Sequence, residues 1–364
     1  MDTLLMLLLL WIKLRFFLTK YCNLLSGSVF TFMNINKVIR EKNLVIPLLG
    51  APGTTLSKTT LKENLTDSKV QYKTLSMLIE KFYPDGIFSI MDLSVEVEAL
   101  GLNLKLPENA HPLVTKHPVK NREDLKIIRD NWHGINGRMR VFIEVMERIA
   151  RKYSIIKGGY VIGPFTMAGE LMGAHDIATK VMLNPELVSE FVNFSIEVIS
   201  EYAHALFDAG ADTIAVLEPL AVILSSKKYK EFSLYPFKRL VSNLNNKPLI
   251  LHICGNTNHL IKLMCDSGAI GLSLDSVMDF KKLKKIVPKE IALIGNLDPI
   301  KIFLQSTPDE VAESTRSLKD NMKDTDNFIL SSGCDIPLNT PLENIEAFMK
   351  ASREIDSQLP ISVK

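Results

Sequence analysis

Pro248 to Gly255 reads PLILHICG, a short apolar run that stops at His252, Ile253, Cys254 and a glycine. Hydrophobicity that is continuous over so short a run marks a strand buried on both faces, as in parallel sheets. Residues two apart on a strand share a face, so His252 and Cys254 present an imidazole and a thiol side by side. Such a pair is the start of a chelate for a soft or borderline ion such as zinc. A further thiol, Cys334, ends another apolar run in FILSSGCDIP. A His-x-Cys pair alone is a weak signal, because free cysteine usually behaves as a small buried hydrophobe. A second cysteine at the end of a second strand strengthens it.

Working outward, the same kind of run recurs along the chain. Leu44–Leu49, Gly86–Leu93, Tyr160–Phe165 and Thr213–Glu218 precede the quoted stretch; Ile270–Asp275, Ile291–Leu297 and Phe328–Cys334 follow it. Helical patterns lie between them. Asn184 to Ala209 opens on Asn-Pro and spaces its apolar residues at helical period. Asp309 to Asp320 follows Thr307-Pro308, and Leu342 to Ile355 follows Thr340-Pro341. Glycines in Asp208–Asp212 and Asp266–Ala269 stop helices just before the next strand. Strand and helix alternating in this way predict a single-domain (β/α)8 TIM-type barrel over residues 33–364. No Gly-x-Gly-x-x-Gly or Walker sequence points to an open nucleotide-binding sheet. Two long insertions, Ser94–Gly159 and Thr166–Asp212, interrupt the repeat. The first carries His111 and His117, each before a proline, in a stretch expected to be an exposed surface excursion.

The 43 lysines and arginines are interspersed with 41 acids, which excludes a nucleic-acid footprint. Four cysteines in 364 residues make no disulfide framework, and reduced thiols point to the cytoplasm. Residues 1–32 stand apart. Leu4–Ile12 is an apolar run too short to span a bilayer, with its cations after the run instead of before it. The expectation is an over-long start preceding Met33; a membrane tether or signal, or a helix packed on the domain, are the other readings. Membrane contact is expected only if this extension is real.

In such barrels the working residues sit at the carboxyl ends of the strands. Those ends carry Asp92, Glu218, His252 with Cys254, Asp275, Asn296 and Cys334. His252, Cys254 and Cys334 are the candidate metal ligands. Glu218 is either a fourth, exchangeable oxygen ligand or a carboxylate engaged in capping a helix. Asp275 and Asn296 are candidates to fix the His252 ring or to contact substrate, and Asp92 joins them as a binding candidate. Three protein ligands with an open position is the pattern of a catalytic zinc. Cys265 reads as core, Cys22 belongs to the extension, and His175 and His259 are set aside.

From residue 33 onward the chain resembles the uroporphyrinogen decarboxylase superfamily, and within it the methylcobamide:coenzyme M methyltransferase branch. The residues that carry the resemblance are His252-Ile-Cys254-Gly255 with Cys334 in SSGCDIPLNTPLENI, supported by GPFTMAGEL (Gly163–Leu171), GNLDP (Gly295–Pro299) and GAPGTT (Gly50–Thr55). The resemblance implies Zn2+ that binds a thiol, coenzyme M first among candidates, and a corrinoid protein that brings the methyl group as a methylcorrinoid. It also offers alternatives: a metal-free tetrapyrrole decarboxylase, a methyltransferase with another donor or acceptor, or a barrel whose zinc is structural. The decarboxylases grip a polycarboxylate with an arginine-rich amino-terminal motif. Here Arg40 is the only arginine between Met33 and Asn121, and without the guanidinium fork that substrate is disfavoured.

Overall fold

All eight apolar runs become parallel strands in a computed structural model that describes residues 43–354. They are β1 (Leu44–Val45), β2 (Gly86–Phe88), β3 (Ile156–Ile162), β4 (Thr213–Leu217), β5 (Leu249–Ile253), β6 (Gly271–Leu274), β7 (Ala292–Leu297) and β8 (Phe328–Ser332). The sheet runs β1-β8-β7-β6-β5-β4-β3-β2. Its two ends approach each other where Asp85 N donates to the Val45 carbonyl and Val45 N donates to Asp85 Oδ2. The result is a nearly closed (β/α)8 barrel. The expected extension 1–32, Cys22 included, lies outside the described residues.

The third strand starts and stops earlier than its hydrophobicity suggests. Gly163 ends it and Pro164, whose missing N–H suits a first helical turn, begins the helix Pro164–Met172. The expected helices form with the caps their sequences encode. Asn184 Oδ1 accepts from Leu187 N at the head of Pro185–Asp208. Thr307 and Glu310 exchange the two hydrogen bonds of a capping box before Pro308–Met322. The first insertion is more ordered than a surface excursion. It holds a short antiparallel ladder, Leu104–Lys105 against Leu113–Val114, and the helices Arg122–Asp130 and Met139–Lys152. No helix among the described residues is long and apolar enough to cross a membrane.

Two cores follow from strands buried on both faces. The outward side chains pack against the helices, with Phe191, Phe194 and Tyr202 fully buried. The inward ones, among them Ile46, Phe88, Tyr160, Ile250 and Ile329, fill the barrel bore. Ile250 in the bore sets the phase of β5: His252, two residues on, also faces inward, and Cys254 follows at the mouth. The bore is packed to the point where β3 has no room for a side chain opposite β2. A Cβ on Gly158 would fall 2.1 Å from the Phe88 ring. Gly158→Ala is therefore expected to cost about 1–3 kcal/mol through overpacking, measured by urea unfolding. Phe88→Leu in the same chain should recover part of that loss, and full additivity of the two changes would contradict this packing.

Candidate metal centre

Three side chains from two strands meet at the mouth of the barrel. His252 Nε2 lies 3.0 Å from Cys254 Sγ and 3.7 Å from Cys334 Sγ, and the two sulfurs are 3.1 Å apart. Both cysteines are free thiols, and their separation is well beyond the roughly 2.05 Å of a disulfide. Donors held 2.0–2.3 Å from one tetrahedral zinc sit about 3.6–3.8 Å apart, so a small outward movement of the sulfurs accommodates the ion. The set of one imidazole and two thiols suits zinc in chemistry as well as in size. Among the described residues it is the one group of three or more histidine, cysteine and acidic side chains close enough to share an ion.

Each donor is placed by its strand. His252 and Cys254 are two residues apart on the inward phase of β5. Cys334 comes after β8 and is steered to the mouth by Gly333, which passes close to the loop after β6. A Cβ there would lie 2.6 Å from Ser276 N. The two thiols share a proton unequally. Cys334 is pushed down to about 4 by the hydrogen bond from Cys254, opposed by burial and helped by His252. Cys254 is pushed up by the same hydrogen bond and by burial. The pairing favours at Cys334 the thiolate, the form that binds metal.

The partner of the imidazole is Ser273, in place of the expected Asp275 or Asn296. Ser273 pairs with His252 in the β5–β6 register, and its hydroxyl lies 2.8 Å from Nδ1. With Nδ1 engaged there, Nε2 is the nitrogen left to face the sulfurs. Asp275 accepts from Gly255 N at 2.8 Å and so fixes the turn just after Cys254. Asn296 Nδ2 donates to the carbonyls of Asp275 and Met278. Both expected site residues shape the loops around the centre, and among the described residues neither hydrogen-bonds a donor side chain.

Glu218 takes the capping role of its two expected ones. Its carboxylate accepts from Thr166 N and Thr166 Oγ1, both at 2.6 Å, and from Phe165 N at 3.2 Å. It sits on the amino end of the helix Pro164–Met172, where unpaired N–H groups and the dipole favour an anion. Burial nevertheless pushes it up to about 7, against the pull of these donors. Asp92 is tied to Arg138, whose guanidinium also bonds Glu98 and Ser94.

Beside Cys334 opens a cavity of about 780 Å³. Asp92, Ser94, His111, His117, Thr166, Glu170 and Asp335 are among its polar lining, with Leu113, Leu220, Val222 and Ile223 among the apolar residues. His111 and His117, expected to be free loop residues, are therefore part of its wall. His117 Nδ1 lies 2.6 Å from the Glu170 carbonyl, and His111 Nε2 is 3.7 Å from Asp335. Burial pushes the Asp335 carboxyl well up, with the neighbouring Cys334 adding to it. Arg138, Glu170, Asp335 and Ser273 escaped the sequence reading. Ser273 alone had a local signal, lying two residues before Asp275 on an inward phase.

The profile of the uroporphyrinogen decarboxylase (URO-D) family matches residues 49–355. The chain is 31% identical over 272 residues to the methylcobamide:CoM methyltransferase MtbA of Methanosarcina acetivorans, covering 72% of this chain and 77% of that one. The chain belongs to the URO-D family, in its methylcobamide:CoM methyltransferase branch. The uroporphyrinogen decarboxylase of Prochlorococcus marinus is a more distant relative of this URO-D protein, 25% identical over 314 residues, with 83% and 87% covered. A solved methyltransferase from Methanosarcina mazei shares the fold with a TM-score of 0.77 at 24% identity, over 87% of this chain and 96% of that one.

Removing the hydroxyl that holds the His252 ring tests the geometry. Ser273→Ala should weaken zinc affinity by about 10–100-fold, the usual effect of losing a ligand's hydrogen-bond partner. Competition against a chromogenic chelator reads this directly. Unchanged affinity would mean that the ring is held by packing alone.

Proposed function

We propose that this protein transfers a methyl group from a methylcorrinoid, carried by a partner protein, to a small thiol at a zinc held by His252, Cys254 and Cys334. The observation that carries the reading is the convergence of these three donors beside a cavity open at the barrel mouth. Three protein ligands are the number found in catalytic zinc sites, and four in structural ones. Zinc, when bound, lowers the pKa of a coordinated thiol and makes its sulfur a nucleophile at neutral pH. Two thiolates and a neutral imidazole balance the charge of the ion by formal count. They leave an added thiolate electron-rich, as attack on carbon requires.

The remaining tasks fall to the chain's own residues. Ser273 keeps the Nε2 lone pair of His252 directed at the site, and Asp275 fixes the backbone after Cys254. The apolar bore beneath His252 excludes water from one side. The methyl donor has to arrive from the other side, over the strand carboxyl ends. Exposed Leu113, Ile223, Val277 and Ile300 lie in the excursion and in the loops that follow β4, β6 and β7. They form an apolar rim suited to a docking protein. The names of the relatives, which include coenzyme M and a methylcobamide, support the class of donor and acceptor. Decarboxylation of a tetrapyrrole polycarboxylate fits less well. No lysine or arginine lines the cavity among the described residues.

Two measurements test this. Cys334→Ala should abolish methyl transfer from methylcobalamin to thiol and lower bound zinc, while circular dichroism and the unfolding midpoint stay near wild type. Collapse of the fold on losing the metal would instead favour a structural ion. Ile300→Asp, on the rim but outside the cavity lining, should slow transfer from a protein-bound corrinoid several-fold, with little change for free methylcobalamin. Equal slowing with both donors would rule out a docking role for the rim.

A further inference from the structure

We propose that Tyr160 is a positioning residue for the metal centre, and that one ordered water in the barrel bore joins its hydroxyl to Ser273 and, through Ser273, to His252. This inference rests on the reading that zinc takes Nε2 of His252, and it extends the support of that ligand to a third strand.

Counting the donors and acceptors of Ser273 sets the problem. A histidine that gives its Nε2 lone pair to a metal carries its proton on Nδ1. Nδ1 lies 2.8 Å from Ser273 Oγ, so in the loaded site the serine oxygen accepts that proton. The O–H of Ser273 then needs an acceptor of its own. Among the described residues its side chain makes no hydrogen bond besides the one to His252, and it is buried, where an unmatched hydroxyl is costly. If the O–H turned toward Nδ1 instead, it would hold the ring proton on Nε2, the tautomer that cannot bind metal. Whatever accepts the serine proton therefore favours the metal-binding tautomer.

The partner lies across the bore. Tyr160, on the inward phase of β3, is 7% exposed, and its ring centre is 5.1 Å from that of Phe88. Its hydroxyl bonds no other described residue. Burial, with the charges of Asp335 and Cys334 adding to it, pushes the phenol well up. The group is thus a neutral O–H, able both to donate and to accept. Tyr160, Ser273 and His252 line one cavity of about 30 Å³ in the bore. A water needs about 10–15 Å³ on this measure, and two or more polar partners. The space suffices, and the two hydroxyls are the partners. The rest of the wall is mostly apolar, Ile250 and Ile294 among it, and Thr213 spends its hydroxyl proton on the Pro248 carbonyl. Bulk solvent stays out, and a water is held only where Tyr160 and Ser273 face it.

The test is a double-variant cycle on the full-length protein, with zinc affinity read by competition against a chromogenic chelator. Tyr160→Phe removes the hydroxyl and keeps the ring, so the unfolding midpoint is expected to stay near wild type. Zinc binding should weaken about 3–10-fold, the worth of one hydrogen bond. In Ser273→Ala the path to His252 is already cut, so adding Tyr160→Phe should weaken binding by less than about two-fold more. The visible bands of the cobalt(II)-substituted protein report the donor set without turnover, and they should shift in the same direction in both single variants. A crystal structure of the zinc-loaded protein should show one solvent molecule within hydrogen-bond distance of both hydroxyls. Unchanged affinity in Tyr160→Phe, multiplicative losses in the double variant, or no solvent between the hydroxyls would each overturn the inference and leave the metal site standing. A wild-type chain that takes up no zinc would overturn the reading beneath it as well.

Discussion

The structure depends on bringing an imidazole and two thiols from opposite ends of a sequence interval into one small volume. His252 and Cys254 are neighbours by strand geometry, but Cys254 and Cys334 are 80 positions apart and their sulfurs 3.1 Å apart. Only a closed set of parallel strands delivers that. β6 and β7 separate β5 from β8 in the sheet, so the site spans the curvature of the barrel instead of lying along one strand. Gly158 in the bore and Gly333 at the mouth each mark a place where two chain segments approach too closely for a side chain.

Around this centre the carboxylates are arranged by role. Glu218 closes the amino end of a helix, Asp275 holds a turn, and Asp92 anchors Arg138. Each engages the backbone or a guanidinium, which is how a buried charge avoids most of its desolvation cost. Glu170 and Asp335, which line the cavity together with Asp92, are tied to no guanidinium or helix end among the described residues. The polarity of the mouth is therefore set by acids the scaffold does not consume.

The barrel could be read from the sequence because parallel strands buried on both faces leave continuous apolar runs, and every one of the eight runs became a strand. The pairing of two of the candidate donors was legible for a related reason: period-two spacing puts His252 and Cys254 on one face whatever the rest of the chain does. Ser273 was harder, because a serine inside an apolar run gives no sign of its cross-strand partner until register is known. Arg138 and the cavity histidines were not legible at all. They lie in a long insertion whose path is decided by tertiary packing, and a histidine before a proline looks the same on an open loop or a cavity wall. Glu218 stood between two roles, and the helix that decides its position begins at a proline the hydrophobic pattern had assigned to a strand.

The last donor has a temporal consequence. Cys334 follows the final strand, with only the helix Leu342–Arg353 after it among the described residues. A growing polypeptide that has emerged as far as β7 offers just two of the three donors. The complete set of candidate donors therefore exists only once β8 and the residues after it have been made, and a chain stopped before β8 would keep two donors of the three.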